Sequence, residues 1–414
     1  MGILKNMLLP KILMLCLLIM YGCATFNPRQ IDEVPFRERA QTQYENNVRV
    51  TAAVLSAEES EAVFGVPLYK KGIQPIWLEI ENNDEEPLWF LPFSLDPDYF
   101  SPLEVAYMHR VTFSKEVNQQ MGQYFHGQAM EKYIAPGSVL SGFVFTNLDL
   151  GTKSFNVDLV GEDRPVRTFT FFIPVPGLRV NHREVDWHKL YSKNEIVGYD
   201  EEGLKKALES LPCCTTNQDG TKQGDPLNVV IIGKGEYVHH ALIRSSWNET
   251  GTPVSVSKGG TPSLFKGEDR YAAVSPLYLY GRPQDAAFCK TRKSANQRNQ
   301  LRVWLSPMTF EGKPVWVGQI SRVVRIRSLL KGYKMEPDVD EARTYIIQDL
   351  LYSQGLVKYG YVKGIGAATI FEPRENLTGA TYFTDGYRAV LWVSGEPISF
   401  SEVEFVEWET PSQR

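Results

Sequence analysis

Hydrophobic and polar positions follow three different patterns along this chain. At its start, an unbroken apolar run from Ile12 to Met20 follows Lys5 and Lys11. This run is too short to span a bilayer as a permanent helix and has the length of a signal-peptide core. The pattern predicts an export signal over residues 1–22, and the polar residues 23–45 that follow predict a tether.

Residues 46–177 carry short runs in which apolar and polar side chains alternate, as in Ile76–Ile80 and Phe155–Leu159. Such alternation is typical of strands with one buried face. The exception is Ser56–Phe64, where a serine and a glutamate three residues later have the spacing of a helix capping box. Evenly spaced strands with few helices predict an all-β immunoglobulin-like sandwich as the N-terminal domain.

Residues 178–197 are charged and lack an apolar pattern, so we expect a linker there, with His182 and His188 in solvent. From residue 198 to 414 the pattern alternates between helices and strands. Helices are predicted after Asp200 and from Asp338 to Gln354, and the valines and isoleucines of Asn228–Ile232 predict a strand buried on both faces. This order predicts a second, α/β domain with a mixed sheet and flanking helices.

The composition is that of a packed globular protein. Of the 414 residues, 43% are apolar, 12% aromatic and 22% charged, which excludes a disordered, collagen-like or coiled-coil chain. The 44 basic and 49 acidic side chains leave a net charge of −5. That balance provides no overall cationic field for nucleic acid, and we expect no nucleic-acid partner.

The end of the export signal resembles a bacterial lipobox, because Gly22 precedes Cys23. We expect Cys23 to be acylated and to anchor the mature chain in a membrane. Ala24 follows the cysteine, which by the usual sorting pattern indicates the outer membrane, with the protein facing the periplasm. The alternative is an ordinary signal peptide that is cut near Ala24 and discarded with Cys23.

Three further cysteines, Cys213, Cys214 and Cys289, can form at most one disulfide among themselves in an oxidising compartment. Adjacent cysteines bridge each other only in a strained ring. We therefore expect Cys289 to bond Cys213 or Cys214. None of the three has the arginine six positions later that a phosphate-cradling cysteine loop requires.

Arginines and carboxylates of the second half form the candidate ligand-binding set. Planar guanidinium groups close together hold oxyanions bidentately, and carboxylates nearby complete a polar site. The alternative is internal salt bridging and helix capping. The set comprises Arg282, Arg298, Arg302, Asp338, Asp340, Arg343 and Asp385.

No motif in the sequence predicts catalysis, a metal or a cofactor. Gly233-Lys234-Gly235 follows a predicted strand, but Val238 stands where a dinucleotide-binding turn needs its third glycine. His239 and His240 are adjacent on a predicted helix and point in different directions. We therefore expect no catalytic residue, no metal ligand and no cofactor.

Several segments in a fixed order resemble the LssY C-terminal domain family over residues 198–395. The segments are Gly224–Gly233, Ser275–Asp285, Arg298–Trp304, Trp316–Gly318, Pro337–Arg343 and Asp385-Gly386 with Arg388. The resemblance implies an α/β domain of a kind often attached to membrane proteins of the DedA or type 2 phosphatidic-acid phosphatase classes. The sequence departs from the family pattern at Asn299 and Gln300, at Tyr333–Met335 and at Val323, where relatives often have histidines or an aspartate.

These departures imply that any metal or catalytic site built from those residues in relatives is mostly lost here. We therefore expect an envelope lipoprotein whose second domain binds without catalysing a reaction. Its ligand is expected to be an envelope protein or an anionic, phosphorylated or lipid-linked molecule. The alternative is a phosphoester hydrolase that acts on a lipid-linked substrate of the envelope.

Overall fold

The computed structural model describes residues 26–162, 165–253, 271, 274–292, 297–327 and 332–411. The predicted export signal and Cys23 lie outside these residues. The described chain forms a β-rich fold with several sheets and six α-helices, and it divides into two compact units. The first unit comprises the described residues 26–149 and 155–175, and the second comprises 150–154 and 176–411. None of the described helices is both long and apolar enough to cross a membrane.

The first unit is built from two four-stranded sheets, ordered β1-β2-β3-β6 and β5-β4-β7-β8, and three helices. Its elements are β1 (Gln41–Glu45), β2 (Val48–Val54), α1 (Ala57–Phe64), β3 (Ile73–Asn82), β4 (Leu88–Leu91), α2 (Pro102–Met108), α3 (Lys115–Gly127), β5 (Tyr133–Ile134), β6 (Ser138–Asn147), β7 (Gly151–Val160, of which 155–160 belong to this unit) and β8 (Arg167–Val175).

One apolar core lies between the two sheets, because alternate side chains of both point into it. Leu78 of β3 and Phe171 of β8 belong to this core, and both are fully buried. The other face of the first sheet carries a second core, where Phe145 contacts Phe64 of α1 and Phe125 of α3 at ring distances of 5.1 and 5.5 Å. The first sheet is therefore buried on both faces.

Two expectations for this half need correction. The domain is not all-β, because α2 and α3 follow the strand β4. Helix α2 begins with a complete capping box between Ser101 and Glu104, and α3 buries Met121 and Phe125 one turn apart. The described part of the expected tether is folded, because Phe36 is buried in the second core and β1 pairs with β2.

The second unit is organised around a ten-stranded mixed sheet. Its order is β14-β18-β19-β20-β13-β25-β22-β26, with β10 paired to β19 and β21 paired to β20. The unit's elements are β9 (Leu178–Val180), β10 (Val197–Tyr199), α4 (Glu201–Glu209), β11 (Cys214–Thr216), β12 (Gln223–Pro226), β13 (Val229–Ile232), α5 (Gly235–Arg244), β14 (Asn248–Glu249), β15 (Gly251–Pro253), β16 (Tyr278–Leu279), β17 (Arg282–Pro283), β18 (Ala286–Thr291), β19 (Arg298–Phe310), β20 (Lys313–Arg327), β21 (Gly332–Met335), α6 (Val339–Tyr352), β22 (Leu356–Lys363), β23 (Arg374–Glu375), β24 (Thr381–Tyr382), β25 (Tyr387–Val393) and β26 (Glu404–Val406).

Strand β13 is central to this sheet and is buried on both faces, as its composition predicted. Val230 and Ile232 contact the core that Leu204 and Leu208 of α4 also line. Helices α5 and α6 contact strands of the same sheet. Asp200 and Asp338 cap α4 and α6 with their side chains, which confirms both predicted helix starts.

The expected linker is partly folded into this unit. Strand β9 pairs with β15, and its Leu178 and Val180 are buried. His182 is not a solvated side chain, since its imidazole contacts Glu249. The side chain of His188 lies outside the described residues.

The expected bridge to Cys289 is wrong. Cys213 and Cys214 are bonded to each other, and Cys289 is a free, buried thiol. Cys289 lies in β18 of the large sheet, opposite Gln300 of β19, whereas Cys214 begins β11 in a separate four-stranded sheet. Sheet placement therefore keeps the third cysteine away from the pair.

Candidate ligand-binding site

Arg282 is occupied by internal partners. Its guanidinium makes a two-point contact with Asp285, Nε to Oδ1 and Nη2 to Oδ2, each at 2.9 Å. It also donates to the carbonyl oxygen of Leu305 at 2.7 Å and to the hydroxyl of Tyr191 at 2.9 Å. The alternative of internal salt bridging therefore holds for this arginine.

Arg343 and the three candidate aspartates form a second internal network. Arg343 makes a two-point contact with Asp385 at 2.7 and 2.8 Å. Asp340 accepts from the hydroxyl of Thr384 at 2.7 Å and from the backbone N–H of Asp385 at 2.9 Å. Asp338 caps α6 by accepting from the N–H of Asp340. Burial raises the pKa of Asp340 against the opposing charge of Arg343.

Arg298 and Arg302 lie apart from these networks, on one face of β19. Their even spacing puts both side chains, and that of Gln300 between them, on the same face of the strand. The partner strand β20 places Ser321 opposite Gln300 and Gln319 opposite Arg302. All five side chains are at least nine-tenths buried. We call these five residues the polar layer.

Hydrogen bonds within the polar layer leave donors unused. Nη1 of Arg302 donates to Oε1 of Gln319 at 2.9 Å, and its Nε donates to the carbonyl oxygen of Ser275 at 3.2 Å. With its amide oxygen turned to Arg298, Gln300 accepts from Nε and Nη2 of that arginine at 2.9 and 3.0 Å. Nε2 of Gln319 and Oγ of Ser321 have no hydrogen-bond partner among the described residues.

Among the described residues, no carboxylate contacts Arg302 to neutralise its charge. Within the described chain its direct partners are an amide and a backbone carbonyl. Burial lowers its pKa, and the negative charge of Asp225 opposes this shift only in part. Burial also raises the pKa of the neighbouring Cys289 thiol to about 11, so this group is neutral. The polar layer therefore combines a buried cation with unused polar groups, which suits an anion.

Arg388 has a structural role. Its guanidinium donates to the carbonyl oxygens of Leu208, Leu211, Pro212 and Leu227 at 2.8–3.1 Å. The first three are carbonyls at and just beyond the C-terminus of α4, where a cation satisfies exposed acceptors. Burial lowers the pKa of Arg388 to about 10.

The glycines at the start of α5 serve close packing. A Cβ at Gly233 would lie 2.6 Å from Cγ2 of Val393, and the indole of Trp316 donates to the Gly233 carbonyl at 3.0 Å. This agrees with a structural role for the turn.

Sequence reasoning identified the two arginines of the polar layer, noted Gln300 only as a departure from the family pattern, and missed Gln319 and Ser321. The available signal was the alternation within the predicted strand from Val315 to Val324, which puts these two polar side chains on one face. A glutamine and a serine at alternate positions inside an otherwise apolar strand indicate polar groups turned into the protein.

Fold and site together define the class of this domain: it is a β-rich unit with a buried, cationic polar layer. Residues 205–387 match the family described as the LssY C-terminus, which confirms the resemblance seen in the sequence. The matched segment includes the whole polar layer. No curated protein and no solved structure shows significant similarity to the chain.

Proposed function

We propose that the second unit binds a small oxyanion, a phosphate ester or a carboxylate, at the polar layer and holds it without reacting with it. The observation that carries this proposal is the buried guanidinium of Arg302 beside polar groups of Gln319 and Ser321 that have no hydrogen-bond partner in the described part of the chain. Cross-strand neighbours in a sheet lie about 5 Å apart, so the three side chains can reach one oxyanion.

The energetics favour an occupant at this position. A buried polar group without a hydrogen-bond partner costs about 1–3 kcal/mol, and within the residues that the structure describes the polar layer contains two such groups. An anion would accept from the amide of Gln319 and the hydroxyl of Ser321, and it would compensate the buried charge of Arg302. Hydrogen bonds between a guanidinium and an oxyanion are among the stronger ones in proteins.

The chemistry of the polar layer supports binding over turnover. Arginine is permanently charged and poorly suited to proton transfer. Cys289 carries the thiol on this face, and its pKa of about 11 keeps it protonated at neutral pH.

A phosphoester hydrolase is the second candidate. The observation in its favour is the raised pKa of Asp340, since burial of a carboxyl group is one way to prepare a general acid. Both oxygens of Asp340 already accept hydrogen bonds from Thr384 and Asp385, which supports the structural role instead.

We further propose that the protein is an envelope lipoprotein with acyl chains on Cys23, anchored in the outer membrane and facing the periplasm. The apolar core of residues 12–20 and the Gly22-Cys23 junction support this location. There the oxyanion would belong to a phospholipid-related molecule or to an envelope protein partner.

We also propose that the two units are an immunoglobulin-like sandwich and an α/β domain. The core shared by two four-stranded sheets supports the first, and the large mixed sheet with helices α4 to α6 supports the second.

Calorimetric titration of the full chain in detergent tests anion binding, with inorganic phosphate, glycerol 3-phosphate and acetate as separate probes. Tighter binding of glycerol 3-phosphate than of phosphate would assign the ester, whereas tighter binding of acetate would assign a carboxylate. We expect Arg302→Met to weaken binding by about tenfold to a hundredfold, because it removes charge-assisted hydrogen bonds.

Arg322→Met is the matched control, because Arg322 lies on the neighbouring strand β20 and on the other face of the sheet, where its Nε donates to Oδ1 of Asn299 at 3.0 Å. The affinity of the Arg322→Met variant for each anion probe should equal that of the wild type. Equal affinities of wild type and Arg302→Met, or no saturable binding of any probe, would overturn the proposal. Phosphoester hydrolysis that disappears in Asp340→Asn would favour the hydrolase.

A further inference from the structure

Two histidines and a buried glutamate converge at one edge of the large sheet. His182 follows β9, His239 lies in α5, and Glu249 lies in the edge strand β14. Nε2 of His182 and Nε2 of His239 lie 3.1 and 2.9 Å from the same oxygen, Oε1 of Glu249. All three atoms lie within 4.8 Å of one another. None of these residues belongs to the polar layer.

The glutamate of this cluster is charged although it is fully buried. Its side chain is 0% exposed. Burial would raise its pKa, but hydrogen bonds from His182 and His239 and the charges of His239 and Arg183 outweigh burial and lower it. The carboxylate is accommodated because residue 151 is glycine: a Cβ there would lie 2.6 Å from Oε2 of Glu249, and its φ of +78° also favours glycine.

Surrounding side chains fix the orientation of the three groups. Nη2 of Arg183 donates to Oε2 of Glu249 at 3.1 Å and to Oγ1 of Thr152 at 2.8 Å. The same Nη2 lies 3.3 Å from Oε1 of Glu249, which also contacts both imidazoles. The ring of Phe288 lies beside both histidines, with centroids 5.7 and 6.2 Å away. Such surrounding contacts orient metal ligands in proteins.

We propose that His182, His239 and Glu249 bind one divalent transition-metal ion of the zinc type. The ligand atoms are Nε2 of each histidine and Oε1 of the glutamate, and solvent completes the coordination. Two imidazoles with one carboxylate suit Zn²⁺, Co²⁺ or Ni²⁺, whereas Mg²⁺ and Ca²⁺ prefer oxygen ligands alone. Three protein ligands with an open position form an accessible zinc site.

The observed spacing is compatible with a bound ion. Ligands at about 2.0–2.1 Å from a tetrahedral zinc ion lie about 3.3 Å apart, close to the two separations of Glu249 from the histidines. Binding replaces the N–H···O contacts with metal bonds, so each histidine that carried a proton on Nε2 loses or relocates it. Sequence reasoning missed this set because its members come from three separate elements, and it predicted no metal.

Titration of the EDTA-treated full chain with ZnCl₂ tests the proposal, with metal content read by mass spectrometry after dialysis. We expect one zinc ion per chain and a rise in melting temperature on zinc addition, because a ligand that binds only the folded state stabilises it. His239→Gln should weaken binding by about tenfold or more. His126→Gln in α3 of the first unit is the matched control and should bind as the wild type does.

Glu249→Gln removes the charged ligand but also leaves Arg183 without this carboxylate, so a loss of binding in that variant would not separate metal binding from folding. His239→Gln keeps the Arg183–Glu249 pair intact and therefore decides the outcome. Co²⁺ added to the wild type should give the visible absorption of a four- or five-coordinate site, and this absorption should be lost in His239→Gln. No stoichiometric zinc in the wild type, or wild-type affinity in His239→Gln, would overturn the proposal and leave a hydrogen-bonded His–Glu–His cluster.

Discussion

Arg302 and Gln319 lie directly opposite each other on β19 and β20, and Nη1 of the arginine donates to Oε1 of the glutamine at 2.9 Å. The contact neutralises no charge, because an amide is uncharged. It also leaves Nε2 of Gln319 without a partner among the described residues. One carboxylate added at this pair should therefore change both the charge balance and the anion site.

Gln319→Glu should abolish phosphate binding and leave the free energy of unfolding equal to or above that of the wild type. The new carboxylate would pair with Arg302 and compensate its buried charge from within the protein. Titration calorimetry and urea unfolding measure the two effects. Asn299→Asp, which adds the same charge on the other face of β19, should leave binding intact. Undiminished binding in Gln319→Glu would contradict an anion site at Arg302.

Arg343→Met should destabilise the protein by about 3–5 kcal/mol, because it removes a cation that contacts the buried Asp340 and the half-buried Asp385. Urea unfolding followed by circular dichroism measures the loss. Arg37→Met provides the comparison, since its pair with Asp32 is exposed and should contribute about 0–1 kcal/mol. Similar losses in both variants would show that the Arg343 network does not support the fold.

Cys289 should resist alkylation in the native protein. Its thiol is fully buried and its pKa is about 11, so little thiolate exists at pH 8 and reagents cannot reach it. Iodoacetamide labelling read by peptide mass spectrometry should modify Cys289 only after unfolding, and Cys213 and Cys214 only after reduction. A peptide that links Cys289 to Cys213 or Cys214 would contradict the assignment.

Cys23→Ser should abolish acylation of the protein. The apolar core and the Gly22-Cys23 junction predict that this cysteine receives the lipid. Growth with labelled palmitate, followed by purification, should yield labelled wild type and an unlabelled variant. Cys289→Ser is the control and should be labelled like the wild type. Equal labelling of wild type and Cys23→Ser would show that the lipid is not attached at this position.

The sequence by itself determined the local elements of the second unit and its resemblance to the LssY C-terminus family. Capping residues and helical spacing act over a few neighbours, so Asp200 and Asp338 were correctly identified as helix starts. The composition of β13 likewise predicted a strand buried on both faces. In the first unit, capping and spacing predicted α1 but not α2 and α3. The reason is that only a short stripe of each of those two helices is buried.

Only the tertiary structure decided which side chains meet. Near the turn of the β19–β20 hairpin, Phe310 lies opposite Lys313. If this register continued unbroken, Arg302 would lie opposite Ser321. An irregularity between Leu305 and Thr309 shifts the register, so that Arg302 lies opposite Gln319 instead. A local pattern states which face a side chain occupies, but register depends on contacts along the whole sheet. Contacts between distant segments also decide the cysteine pairing, because the fold places Cys289 away from Cys213 and Cys214. They likewise bring together His182, His239 and Glu249, whose elements meet only when the chain is folded.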